Sequence, residues 1–152
     1  MKLICLDSNV VIFGILRRSK SPSEQHFVEM SHELIRLLEK AKCRVLLPTV
    51  CVGELLVPIP EQHHASELGK LRRDWRIVEY DVLAASQFAK MRHDKLSNRT
   101  LRDLRRGDPS SAKHQQIADV MIAATAIVHQ AEILYTTDSR VKPLVGDYIK
   151  VE

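Results

Sequence analysis

Aromatic side chains are scarce in this chain. One Trp, three Tyr and three Phe make up 5% of its 152 residues. They are scattered, so no platform for stacking nucleic-acid bases is evident. Cysteine is scarcer still. Cys5, Cys43 and Cys51 are odd in number and lie in or beside apolar runs. That fits neither a disulfide framework nor a zinc site, and a reduced, cytoplasmic setting is expected. No apolar run approaches the roughly 20 residues needed to span a membrane. Only Lys2 precedes the first apolar run, which is not the pattern of a secretion signal. Internal repeats and low-complexity tracts are lacking. A strong charge of one sign is lacking too: 23 Lys and Arg stand against 19 Asp and Glu, a formal charge of +4. Such an excess permits a polyanionic partner without demanding one. With 45% hydrophobic and 28% charged residues, the composition is that of a globular chain, expected to form one domain over 1–152.

What is present is an alternation of short apolar runs and helical periodicities. Leu3-Ile4-Cys5-Leu6 reads as a strand buried on both faces. It ends on Asp7, and the cap-type residues Ser8 and Asn9 lead into Val10-Val11-Ile12-Phe13, the start of a helix. Arg17 to Ser23 is a polar, basic loop. Phe27, Met30, Ser31, Leu34, Leu38 and Ala41 recur at helical spacing. Arg44-Val45-Leu46-Leu47 is a second buried strand, and Pro48 suits the first turn of a helix through Thr49, Val52, Glu54 and Leu55. Pro58 and Pro60 end it. Leu68, Leu71 and Trp75 mark a further helix, and Ile77 to Tyr80 a short strand. Val82 to Leu96 is helical, with Ala85, Phe88 and Ala89 facing inward. Ser97 to Lys113 is polar and basic. Ile117 to Ala131 is a long, Ala-rich helix, Glu132 to Thr136 a strand, Thr137-Asp138-Ser139 a turn, and Tyr148 to Val151 an edge strand. Strands alternating with helices predict an α/β fold: a central, mostly parallel sheet with right-handed crossovers and helices on both faces.

That topology collects carboxylates. Asp7 and Asp138 each follow an apolar strand, so both fall at carboxyl ends, the edge where open parallel sheets bind ligands. Glu54, on the helix after the second strand, and Asp119, near the expected start of the long helix, can face the same edge. Two like charges at 4 Å cost about 4 kcal/mol at an effective dielectric near 20. A four-acid cluster therefore needs a cation, shared protons or water to relieve it. Hard oxygen ligands without His or Cys favour Mg²⁺ or Mn²⁺ over Zn²⁺. A metal so held, next to basic residues, fits phosphodiester hydrolysis.

Four segments carry a family likeness. Leu6-Asp7-Ser8-Asn9-Val10, Pro48 to Leu55, Asp119-Val120-Met121-Ile122-Ala123-Ala124-Thr125-Ala126 and Tyr135-Thr136-Thr137-Asp138 resemble, in order, the motifs of the PIN-domain nucleases. The resemblance is closest to the toxin ribonucleases of the VapC type. It spans nearly the whole chain, and the stretch from Asp119 is its most distinctive part. The resemblance implies a PIN-like fold and an endoribonuclease whose catalytic, metal-holding acids are Asp7, Glu54, Asp119 and Asp138, with Mg²⁺ or Mn²⁺ as cofactor. It implies that Ser8 or Asn9 assists by bonding a carboxylate or the substrate. It also implies an RNA substrate, a small antitoxin covering the acidic site, and a homodimer. Two departures stand out. Ser8 occupies a position where Thr is commoner, and Ser-Arg-Val-Lys follows Asp138 without the aromatic often found there. Asp138 is thus the least secure ligand, direct or through water.

Each residue also has a plainer reading. Asp7 can cap the first helix, Asp119 can favour a first helical turn through the dipole, Glu54 can be solvated, and Asp138 suits a turn. The order of all four motifs favours a shared site. Thr136 and Thr137 can each bond a ligand carboxylate or end the strand, and Thr137 is counted with the supporting residues. From Arg92 to Lys113 there are seven basic residues, of which Arg99, Arg102 and Arg106 would share a helical face. They are candidate RNA-phosphate contacts or a solvated face, and Arg17, with Arg18 and Lys20, is a second candidate. His63, His64 and the other His lack metal-ligand spacing. Two rivals remain: a housekeeping RNA-processing nuclease of the same fold, and a non-catalytic RNA-binding domain that keeps it. A phosphoacceptor switch would need paired acids around the first strand, where Leu6 precedes Asp7.

Overall fold

A computed structural model of the chain describes residues 2–19, 21–97 and 111–152. Its centre is β1 (Leu3–Leu6), where Ile4, Cys5 and Leu6 are at most 1% exposed. Successive strand residues point to opposite faces, so both faces of β1 are covered. From β1 the chain enters α1 (Ser8–Gly14), then α2 (Gln25–Lys40), and returns in β2 (Arg44–Pro48). Next come α3 (Thr49–Leu56), α4 (His64–Asp74) and β3 (Arg76–Val78). α5 (Val82–Ser97) and α6 (Ser111–Val128) lead to β4 (Ile133–Tyr135), then α7 (Val141–Val145) and β5 (Lys150–Val151). The strands form one sheet in the order β3-β2-β1-β4-β5, and all pairings are parallel. Seven helices, counted among the described residues, flank it.

The order fixes where a site can form. The chain builds outward from β1 to β3 on one side, then crosses back and builds outward through β4 and β5 on the other. The switch lies between β1 and β4, and a crevice opens at their carboxyl ends. Asp7 follows β1 there, and its backbone N–H reaches Tyr135 O of β4 at 3.0 Å.

Several expectations need correction. α6 begins at Ser111, six residues before the expected start, so Asp119 sits in its third turn and not near its N-terminus. The reading of Asp119 as a first-turn acid fails for that reason. α2 buries Val28, Ser31, Ile35 and Leu38 and leaves Met30 63% exposed, so its inward stripe is turned from the one expected. The cause is Gly14: a Cβ there would lie 2.5 Å from Ile35 Cδ1 and 2.9 Å from Ser31 O, so α1 rests directly on that face. On α5 the inward stripe is Ala84, Phe88 and Met91, while Ala89 is exposed. Alanine is too small to dictate a face against Met and Phe. β3 stops at Val78, β4 at Tyr135, and the edge strand shrinks to Lys150–Val151. α7 was not expected. Arg99, Arg102 and Arg106 lie outside the described residues. No helix among the described residues is long and apolar enough to cross a membrane.

Candidate active site

Asp7 is 3% exposed, and every hydrogen bond to its carboxylate is local to the crevice. Oδ1 accepts from Ser8 N at 2.7 Å and from Ser8 Oγ at 3.3 Å. Oδ2 accepts from Thr136 Oγ1 at 2.7 Å. Asp7 is therefore the N-cap of α1, with an extended backbone, and it also reaches across to the strand end of β4. Capping α1 and bonding to the end of β4 coexist in one residue. Burial raises its pKa; the hydrogen bonds from Thr136 and Ser8 oppose the rise, and the charge of Glu54 adds to it.

The other three acids come from three further elements. Glu54 projects from α3, and its Oε2 is buried without a hydrogen-bond partner. Asp119, half-buried on α6, has its pKa pushed up to about 7. Burial is the main cause, followed by the negative charges of Asp7, Asp138 and Glu54, with the Arg140 guanidinium opposing. Asp138 follows β4. Its backbone N–H donates to Thr136 Oγ1 at 3.0 Å, so Thr136 ties Asp7 and Asp138 together. The Arg140 guanidinium holds the Asp138 carboxyl below its usual range. Of the two threonines, Thr136 makes the carboxylate bond, while Thr137 borders the cleft.

The acids feel one another's charge, yet among the described residues no three His, Cys, Asp or Glu side chains are grouped tightly enough to hold a metal ion. The two observations agree physically. Like charges act over several ångströms, whereas ligation needs oxygens within about 2–2.6 Å of one ion. Asp138 is also paired with Arg140. The donor set fits a hard divalent cation: it is all carboxylate, and the buried, unpartnered Glu54 Oε2 is an acceptor in want of a positive partner.

A cleft of about 950 Å³ opens beside these residues, bordered among others by Asn9, Arg17, Glu54, Thr137, Asp138 and Arg140. Asp7 and Asp119 lie outside its lining. Arg17 stands in the left-handed backbone region, with φ of 48°. Its Nη2 lies 2.9 Å from His32 Nε2, and His32 Nδ1 lies 3.3 Å from Gly14 O. With the proton on Nδ1, His32 donates to Gly14 and accepts from Arg17. Neither Arg140 nor His32 stood out in the sequence. The Asp-x-Arg spacing on a turn was the one available sign for Arg140.

Solved structures match the chain over nearly its whole length, three of them as follows. A chain of VapBC2 from Rickettsia felis, bound to a promoter DNA fragment, is 16% identical with a TM-score of 0.62, covering 99% of this chain and 97% of that one. A chain of DNA-bound VapBC from Salmonella typhimurium is 18% identical with a TM-score of 0.63, covering 100% and 98%. The chain has a PIN-like fold. A chain of VapBC-1 from nontypeable Haemophilus influenzae agrees, with 16% identity, a TM-score of 0.62 and coverage of 99% and 96%. The three likenesses agree on the fold of the whole chain. No family model and no curated protein matches the sequence.

Proposed function

We propose that this chain is a divalent-metal-dependent endoribonuclease and the toxin of a toxin–antitoxin pair, acting as one domain in the cytoplasm. Asp119 carries the reading: burial first, then the charges of Asp7, Asp138 and Glu54, push its pKa up to about 7, as expected if carboxylates from separate elements share one edge of the sheet. On this reading the four acids hold Mg²⁺ or Mn²⁺, a choice supported by their all-oxygen chemistry. When bound, the ion supplies Lewis acidity toward water and the phosphate. The chain's own residues do the positioning. Ser8 and Thr136 fix the Asp7 carboxylate in one orientation. Asn9 and Thr137 border the cleft that receives RNA, and Arg17, braced by His32, offers a cation at its wall. Arg99, Arg102 and Arg106 are assigned to the phosphate backbone on their sequence spacing. That the solved relatives are VapBC complexes supports a small antitoxin as protein partner. A homodimer completes the assembly.

Incubating the purified protein with RNA in Mn²⁺, Mg²⁺ or EDTA tests the chemistry. Hydrolysis by attack of water leaves a 5′-phosphate and a 3′-hydroxyl, and EDTA should stop it. A cyclic phosphate that still forms in EDTA would mean attack by the RNA's own 2′-hydroxyl and would sink the metal-hydrolase reading.

A further inference from the structure

Arg140 holds both carboxylate oxygens of Asp138. Oδ1 of Asp138 accepts from the Arg140 backbone N–H at 2.9 Å and from Nε at 2.9 Å. Oδ2 accepts from Nε at 3.1 Å and from Nη2 at 2.6 Å. The fork-on-carboxylate geometry is the strong form of an ion pair. The Asp138 side chain is 11% exposed, while that of Arg140 is 55% exposed. The acid is thus the fixed member and the guanidinium the accessible one. Arg140 borders the same cleft as Glu54, Arg17 and Arg18. Its charge also reaches Asp119, where it opposes the three carboxylates.

We propose that Arg140 is a built-in cation that competes with the divalent ion for Asp138 and, once displaced, grips an RNA phosphate in the same cleft. The inference rests on the metal-nuclease reading. A cation is one way to relieve an acid cluster, and Arg140 supplies positive charge in the metal-free protein. A divalent ion among the acids repels the guanidinium and competes with it for the Asp138 carboxylate. The planar fork that fits a carboxylate fits a phosphate equally well. Arg140 is then a substrate-binding residue whose grip depends on metal loading.

The test has two readouts besides cleavage. Calorimetric titration with Mn²⁺ alone should show Arg140→Gln binding the ion about two- to fivefold tighter than wild type, the competition expected of an exposed ion pair. Binding of a short single-stranded oligothymidylate is then measured across salt concentrations. In Mn²⁺, Arg140→Gln should flatten the salt slope by up to about 0.7, one phosphate contact on a single strand. In EDTA the two slopes should coincide. Arg140→Lys, which keeps the charge, should retain most of the slope in Mn²⁺. The exchange is overturned if the Gln variant binds Mn²⁺ no tighter, if its slope in Mn²⁺ equals that of wild type, or if the slope falls equally in EDTA. A wild type that hydrolyses RNA and binds Mn²⁺ while these differences are missing refutes the exchange alone. A wild type that binds no Mn²⁺ refutes the metal-nuclease reading and the exchange with it.

Discussion

Thr136 touches two of the candidate acids at once, donating to Asp7 Oδ2 and accepting from the backbone of Asp138. A donor to a buried carboxylate is among the costlier single groups to remove. Thr136→Val keeps the shape and deletes both bonds, so it should cost about 1–3 kcal/mol in urea denaturation. Thr137→Val should stay within about 0.5 kcal/mol. Equal losses at the two positions would contradict the assignment. At this scale the sequence was half legible. An acid after an apolar run is visible in the string, and Asp7 and Asp138 stand where that pattern puts them. Which of two adjacent threonines turns toward Asp7 depends on the exact residue at which β4 ends, and propensity does not resolve one position. The grip of Arg140 on Asp138 depends on a turn whose geometry no periodicity encodes.

At the scale of elements, α1 and α2 meet at the backbone of Gly14 and Ser31. Gly14 leaves no room for a side chain: backbone of Ser31 and the tip of Ile35 occupy the space. Gly14→Ala should destabilise by about 1–3 kcal/mol through overpacking, lowering Tm by roughly 2–4 °C per kcal/mol for a chain of this size. An unchanged Tm in calorimetry would show that the helices can part freely. This packing also explains why the inward stripe of α2 differs from the one its periodicity predicts. Periodicity gave several apolar positions at helical spacing, and the choice between Met30 and Val28 as the inward residue was made by the neighbour, not by the helix. The strands were more legible, since a short run of consecutive apolar residues can be satisfied only with both faces covered. The start of α6 was not: residues before Ile117 are polar, and a helix can continue through them without any apolar signal.

At the scale of the whole molecule, the strand order matters most. With β1 central and the chain switching sides between β1 and β4, residues more than a hundred positions apart meet at one edge, as Asp7 and Thr136 do. Alternation of strand and helix made the parallel sheet and its carboxyl edge foreseeable. For Glu54 and Asp119 the topology says only that each can face that edge, and the family likeness adds the expectation that both do, because periodicity does not fix which side a polar helix residue faces. The central claim is that four carboxylates share one site. Thermal melts of wild type and Asp119→Asn at about pH 8, where Asp119 is charged, test it most directly. In EDTA the variant loses like-charge repulsion, so it should melt at least as high as wild type, by about 2–4 °C more for each kcal/mol relieved. Added Mn²⁺ should raise the Tm of wild type, because a ligand bound only by the folded state stabilises it. The variant should respond less and lose its cleavage of RNA. If instead Asp119→Asn melts lower in EDTA, gains as much from Mn²⁺ and still cuts RNA, then Asp119 holds no metal and the four-carboxylate site is wrong.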